Sequence, residues 1–116
     1  MAYTMNHVHL KTPNPDETVK FYMENFGATI KGTMAGGYQL DLHGLQVNIT
    51  AKNATQKHHQ YYGIEHLAVN TTDYDGALAS LRKNGVEILE ELIGSSGKRI
   101  CFLACPDGAQ MEIIER

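Results

Sequence analysis

Residues 6–12 set His7, His9 and Lys11 against Val8, Leu10 and Thr12 in strict alternation, and that period of two predicts a strand with two unlike faces. The run Pro13-Asn14-Pro15-Asp16 then reads as a turn and a helix start. Val19, Tyr22, Met23 and Phe26 follow at i, i+3, i+4 and i+7, the spacing of one helical face, and Gly27 supplies the stop. Three strands are predicted next, over about 28–34, 38–42 and 45–50. Ala35-Gly36-Gly37 separates the first two, and His43-Gly44 separates the second pair as a tight hairpin.

The order then repeats. A strand is predicted over 64–70 and a helix over about 73–84, presenting Tyr74, Ala77, Leu78 and Leu81 and stopped by Gly85. Strands near 86–92, 98–104 and 110–115 complete the half, with turn chemistry at Gly94-Ser95-Ser96-Gly97 and Cys105-Pro106-Asp107-Gly108. Overlaying the halves puts His7 on His66, Asp16 on Asp75 and Val19 on Leu78. The expectation is an α+β domain spanning 1–116, made of two βαβββ modules at about 5–50 and 64–116 joined by a linker, 51–63. A repeat of roughly 50 residues is too short to stand alone, so two must share a core or pair across a dimer.

In that arrangement each module's four strands form a curved mixed sheet with a helix behind it. Val8, Leu10, Val47, Ile49, Leu67, Val69, Met111 and Ile113 face the helices. The opposite phase carries His7, His9 and Lys11, then Gln46, Asn48 and Thr50, then His66, Ala68 and Asn70, then Gln110, Glu112 and Ile114. A wet face of an antiparallel sheet needs no function to explain polar residues. Against that plain account stand two histidines at equivalent positions of the repeat and Glu112 flanked by Met111, Ile113 and Ile114. Two imidazoles and a carboxylate supply the donors of a divalent transition-metal site, and three ligands leave coordination positions open.

Composition narrows the classes. Hydrophobic residues make up 42% and charged residues 20% of 116, which suits a folded globular chain and argues against disorder. Ten Lys and Arg against 13 Asp and Glu give a net charge of −3, and no basic cluster offers a footprint for nucleic acid or an anionic membrane. The longest apolar run, 100–105, is far short of the roughly 20 residues a membrane helix needs. The opening residues lack a secretory pattern, so the cytoplasm is the expected compartment. Cys101 and Cys105, four apart along an extended chain, lie roughly 13 Å from one another, too far for a disulfide.

The frame Asn6-His7-Val8-x-Leu10, the helix Asp16-x-x-Val19-x-Phe21-Tyr22, the strand His66-Leu67-Ala68-Val69 and the closing Cys105-Pro106-Asp107-Gly108-x-x-x-Glu112 resemble the vicinal oxygen chelate superfamily. That group includes glyoxalase I, methylmalonyl-CoA epimerase, fosfomycin-resistance, bleomycin-resistance and extradiol dioxygenase families. The resemblance covers nearly the whole chain. It implies paired βαβββ modules around a cavity, one divalent ion (Mn, Fe, Ni, Co or Zn) on His7, His66 and Glu112, and a homodimer.

It also implies a fourth position at Asn48, where relatives usually carry Glu, Gln or His, with Gln46 two residues away on the same face. Either carboxamide would be a weak ligand or a substrate contact. Cys105 replaces the first Asp of the family's usual Asp-Pro-Asp-Gly turn. The three-ligand set is most similar to the fosfomycin-resistance type, although that type's potassium and phosphonate loop is not recognisable in 94–99, where Ser95, Ser96, Lys98 and Arg99 could bind an anion.

The activity implied is glyoxalase-like lyase or isomerase chemistry on a small substrate that chelates the metal through adjacent oxygens, with His9 as the proton-transferring group. Thiol transfer to an epoxide and ring-cleaving dioxygenation are the alternatives. Binding of a drug or metabolite without catalysis, as in the bleomycin-resistance type, is a different class that the sequence leaves open. Tyr38 is expected to pack rather than to reach the site. His58, His59, Tyr61 and Tyr62 form either a solvated connector or a lid or dimer contact.

Overall fold

The computed structural model describes residues 2–116. The chain has two helices and eight strands in the order β1 (Tyr3–Lys11), α1 (Pro15–Phe26), β2 (Thr29–Met34), β3 (Gly37–Leu42), β4 (Leu45–Thr50), β5 (Gly63–Thr71), α2 (Tyr74–Lys83), β6 (Ile88–Ile93), β7 (Arg99–Ala104) and β8 (Gln110–Glu115). This is the α+β order βαβββ, twice, with mixed sheets. The chain divides into two compact units, His7–Glu65 and a second that joins the N-terminal residues through Asn6 to His66–Arg116.

In the first unit the strand order is β2-β3-β4-β1, with β1 parallel to β4 and the other neighbours antiparallel. Helix α1 begins where Asn14 accepts the Glu17 amide through its side chain, with Pro15 at the first turn, where its missing N–H is harmless. It ends at Gly27, whose left-handed φ of 71° returns its amide to the carbonyl of Met23. Val19 carries the helix onto a core of Ala28, Leu40, Val47 and Ile49, with Leu10, Tyr22, Tyr38 and Leu42 at its margin. The β3–β4 hairpin turns through His43 and Gly44, both at positive φ, the backbone a two-residue primed turn requires. His43 is held there by a 2.6 Å hydrogen bond between Nε2 and the Phe26 carbonyl at the end of α1.

The second unit has the order β5-β8-β7-β6, with β5 parallel to β8. Asp73 caps α2 by accepting the Gly76 amide, and Tyr74 and Leu78 pack on Cys101, Leu103 and Ile113. Val69, Leu81 and Met111 border that core.

The two units share finer features than element order. Val19 and Leu78 are equally buried. Asp16, in the first turn of α1, accepts the hydroxyl of Tyr38 on β3, whereas Asp75, in the first turn of α2, accepts the guanidinium of Arg99 on β7. Each unit also has a bulge in its edge strand, between Ile30 and Gly32 in β2 and between Ile88 and Glu90 in β6.

The predicted strands 45–50 and 110–115 match at both ends and the other boundaries lie within three residues; β1 is longer, beginning at Tyr3 rather than near Asn6. Of the predicted helix-facing residues, Leu67 is 39% exposed and Val8 half-buried, and neither joins a core cluster. Both cysteines are free. Burial pushes the Cys101 thiol up to about 11 and also raises that of Cys105. No helix among the described residues is long and apolar enough to cross a membrane.

Gly37 is required by close approach rather than by its dihedral angles, because a β-carbon there would overlap the carbonyl of Ile49 on β4. Gly37→Ala is expected to lower unfolding stability by about 2 kcal/mol or more through forced separation of β3 and β4. Urea unfolding of the two proteins checks this, and an unchanged midpoint would contradict it.

Candidate functional site

Strand β1 buries its polar phase. His7, His9 and Lys11 are 5%, 7% and 2% exposed, while Val8 and Leu10 on the opposite phase are only half-buried. Each of the three is held. The rings of His7 and His9 meet edge to face at 5.6 Å, and His9 Nε2 lies 2.7 Å from the Thr50 hydroxyl on β4. Lys11 Nζ pairs with Glu65 Oε1 at 3.2 Å and donates to the side-chain oxygens of Gln56 and Gln60. Glu65 in turn accepts the Tyr61 amide at 3.1 Å, and the Tyr61 hydroxyl donates to the Glu65 carbonyl.

Parallel pairing sets Asn48 of β4 directly beside His9, and antiparallel pairing sets Gln39 of β3 on its other side. Gln46 donates from Nε2 to Asn48 Oδ1 at 3.1 Å, and Lys31 of β2 donates to Gln46 Oε1 at 2.8 Å. The polar face of the first unit therefore carries imidazoles on β1 and a row of carboxamides across β4 and β3.

In the second unit His66 Nε2 lies 3.1 Å from Glu112 Oε1, with His66 fully buried and Glu112 nearly so. His66 also meets the Phe102 ring edge to face at 5.3 Å, which fixes its orientation. The structure thus brings His66 and Glu112 together, places His7 beside His9, and joins Gln46 to Asn48. His7, His9 and His66 are all buried, and each can offer a ring nitrogen to a metal ion. His66 and Glu112 meet across adjacent parallel strands, the arrangement a nitrogen and an anionic oxygen need to serve one cation.

The glyoxalase/bleomycin resistance protein/dioxygenase superfamily model matches residues 4–113. The chain belongs to this superfamily. Among solved structures, the hypothetical protein BH1468 from Bacillus halodurans C-125 matches at a TM-score of 0.79 with 16% identity, over 100% of this chain and 96% of that one. Methylmalonyl-CoA epimerase from Mycobacterium tuberculosis matches at 0.71 with 21% identity, over 96% and 86%. A methylmalonyl-CoA epimerase in complex with methylmalonyl-CoA and ammonium matches at 0.67 with 25% identity, over 99% and 95%. No curated protein matches the chain.

Two charged residues escape sequence reasoning. Glu65 stands between Ile64 and His66, and nothing local says that it is buried or that its partner is Lys11. Lys31 is an ordinary strand lysine by pattern, and only the bulge reveals its direction. The connector is also more built than a solvated loop: His58 is buried, and Gln56, Gln60 and Tyr61 bond the Lys11–Glu65 pair. Tyr38 packs against the first core and donates to Asp16, which holds its hydroxyl above the ordinary range. Arg99 is engaged by Glu115 and Asp75, so it is not an open anion anchor.

Breaking the Lys11–Glu65 pair from one side leaves a buried, uncompensated charge. Lys11→Met is therefore expected to cost about 3–5 kcal/mol, whereas the apolar double variant Lys11→Met/Glu65→Leu should recover most of that loss. Denaturant unfolding of both variants checks this, and equal losses in the single and double variants would contradict it.

Proposed function

We propose that the chain is a divalent-metal-dependent enzyme of the glyoxalase-like lyase or isomerase type, in which His7, His66 and Glu112 hold one cation (Mn, Fe, Ni, Co or Zn). Its substrate is a small molecule with two adjacent oxygens. The contact between His66 and Glu112 carries this reading: a buried imidazole nitrogen and a buried carboxylate oxygen stand 3.1 Å apart on neighbouring strands. Membership of the superfamily supports it, as does the likeness to a methylmalonyl-CoA epimerase in complex with methylmalonyl-CoA.

The donor set suits the group. Neutral imidazole and carboxylate are the ligands borderline divalent ions prefer, and the edge contact with Phe102 keeps the His66 ring in one orientation. A cation bound there supplies Lewis acidity toward adjacent substrate oxygens. The chain's own residues supply the rest. His9, with its ring held by Thr50, is the group that moves the proton, and Gln46 and Asn48 line the substrate side.

The expected result is one divalent ion per chain in freshly purified or reloaded protein. Glu112→Gln exchanges an anionic donor for a neutral one. Loss of a mere outer-shell partner weakens metal binding about 10–100-fold, so this change should weaken it by at least about 100-fold. Elemental analysis and competition titration read both. A chain that binds none of Mn, Fe, Ni, Co or Zn would sink the enzyme reading and favour the drug-binding one, while turnover of an epoxide with a thiol would favour the transferase.

The chain is also proposed to act as a homodimer, because each unit ends in an edge strand, β2 or β6, whose unpaired backbone groups invite association. Light scattering should give twice the mass of one chain, and a monomer mass at tens of micromolar would count against it.

A further inference from the structure

We propose that Asn48 serves as a hydrogen-bond donor to a negatively charged substrate oxygen and not as a metal ligand, its amide aimed by a directed chain that begins at Lys31. This rests on the reading of the site as a metal-chelate enzyme and narrows its substrate to one that presents a carboxylate or enolate oxygen to the first unit.

The argument is one of direction. A carboxamide can be turned either way, and its orientation is decided by its partners. An ammonium has no such freedom, since it only donates. Lys31 Nζ donates to Gln46 Oε1 at 2.8 Å, so the oxygen end of Gln46 faces the lysine and its NH2 end is turned away. That NH2 donates to Asn48 Oδ1 at 3.1 Å. Asn48 therefore turns its oxygen toward Gln46, and its own NH2 is the outgoing end. Among the described residues no acceptor is bonded to it.

The placement suits a reacting oxygen. Asn48 is buried, 3% exposed, and sits at the register position paired with His9, the proposed proton-transfer group. A donor in a buried site stabilises an oxygen that gains negative charge far more than it would in water. The nearest carboxylate along the row, Asp41 beside Gln46, directs Oδ1 to the Gly44 amide of its own hairpin.

The device belongs to one unit and not to the repeat. The bulge between Ile30 and Gly32 makes Lys31 the extra residue of β2, and a bulge re-aims the side chain it carries. The corresponding bulge between Ile88 and Glu90 in β6 carries Leu89, which can start no such chain.

Zn(II) alone and oxalate, a small dianion with adjacent oxygens, are the probes. Asn48→Leu, which removes the donor without adding charge, should leave Zn(II) affinity within about threefold and weaken oxalate binding to the Zn(II)-loaded protein by roughly 10-fold or more, the loss of one hydrogen bond to a charged group. Lys31→Met should weaken oxalate by a smaller factor, and Lys31→Arg, which also only donates, should restore it. In the 15N–1H spectrum, the Gln46 and Asn48 side-chain amides, assigned by their loss in Gln46→Glu and Asn48→Asp, should shift in Lys31→Met with or without metal. Asn48 should shift again when oxalate is added to wild type.

Zn(II) binding weakened by about 10-fold or more in Asn48→Leu would make Asn48 a ligand and overturn the inference. Amide signals indifferent to Lys31→Met, or an Asn48 signal indifferent to oxalate, would overturn it as well. A wild-type chain that takes up no metal would instead fail the enzyme reading, so the two failures are told apart.

Discussion

The burial of the polar phase of β1 is the constraint from which most of the first unit follows. A strand that hides Val and Leu needs only a cover, but one that hides His7, His9 and Lys11 must supply a partner for every charge and donor or lose several kcal/mol per unpaired ion. Thr50 answers His9, and Glu65 with Gln56 and Gln60 answers Lys11. That requirement explains why the segment between β4 and β5 is laid down as structure. Its glutamines close the shell of the ammonium, and its Tyr61 closes that of the carboxylate.

An ion pair so enclosed is weak evidence for stability, since a well-packed apolar pair would do as well or better. What it supplies is registry. Lys11 ends the strand that carries His7 and His9, and Glu65 stands immediately before His66. Pairing their charges fixes the last residue of the first unit against the end of β1, and a slip of β1 by one residue would bury a lone charge.

The architecture was legible because it is written in local signals. The two βαβββ halves follow from alternation, helical spacing and the glycine stops at Gly27 and Gly85, each within reach of a short window. The cap at Asn14, the His43-Gly44 hairpin and the matched burial of Val19 and Leu78 follow likewise. The contact of His66 with Glu112 needed the repeat and the family resemblance as well, because it joins different strands. What stayed hidden was long-range or irregular. Alternation separates the faces of β1 but does not say which is buried, so Lys11 read as a wet-face residue. A bulge has no periodic signature, so Lys31 had no direction until the register of β2 against β3 was known.

Internal duplication separates scaffold from chemistry within this one chain. What both units share is element order, an edge-strand bulge, a helical aspartate tied to the third strand and an aliphatic anchor, and all of these are parts of the packing. What differs is what faces away from the helices. In the first unit that face is imidazole and carboxamide ordered by an ammonium; in the second His66 sits between the Phe102 ring and Glu112. The second unit thus offers an anionic oxygen, which suits a cation, while the first offers N–H donors, which suit an anionic ligand. The two halves of the repeat therefore share a packing scaffold and differ in the chemistry of the face that scaffold leaves free, an imidazole beside a carboxylate in one and carboxamides aligned by an ammonium in the other.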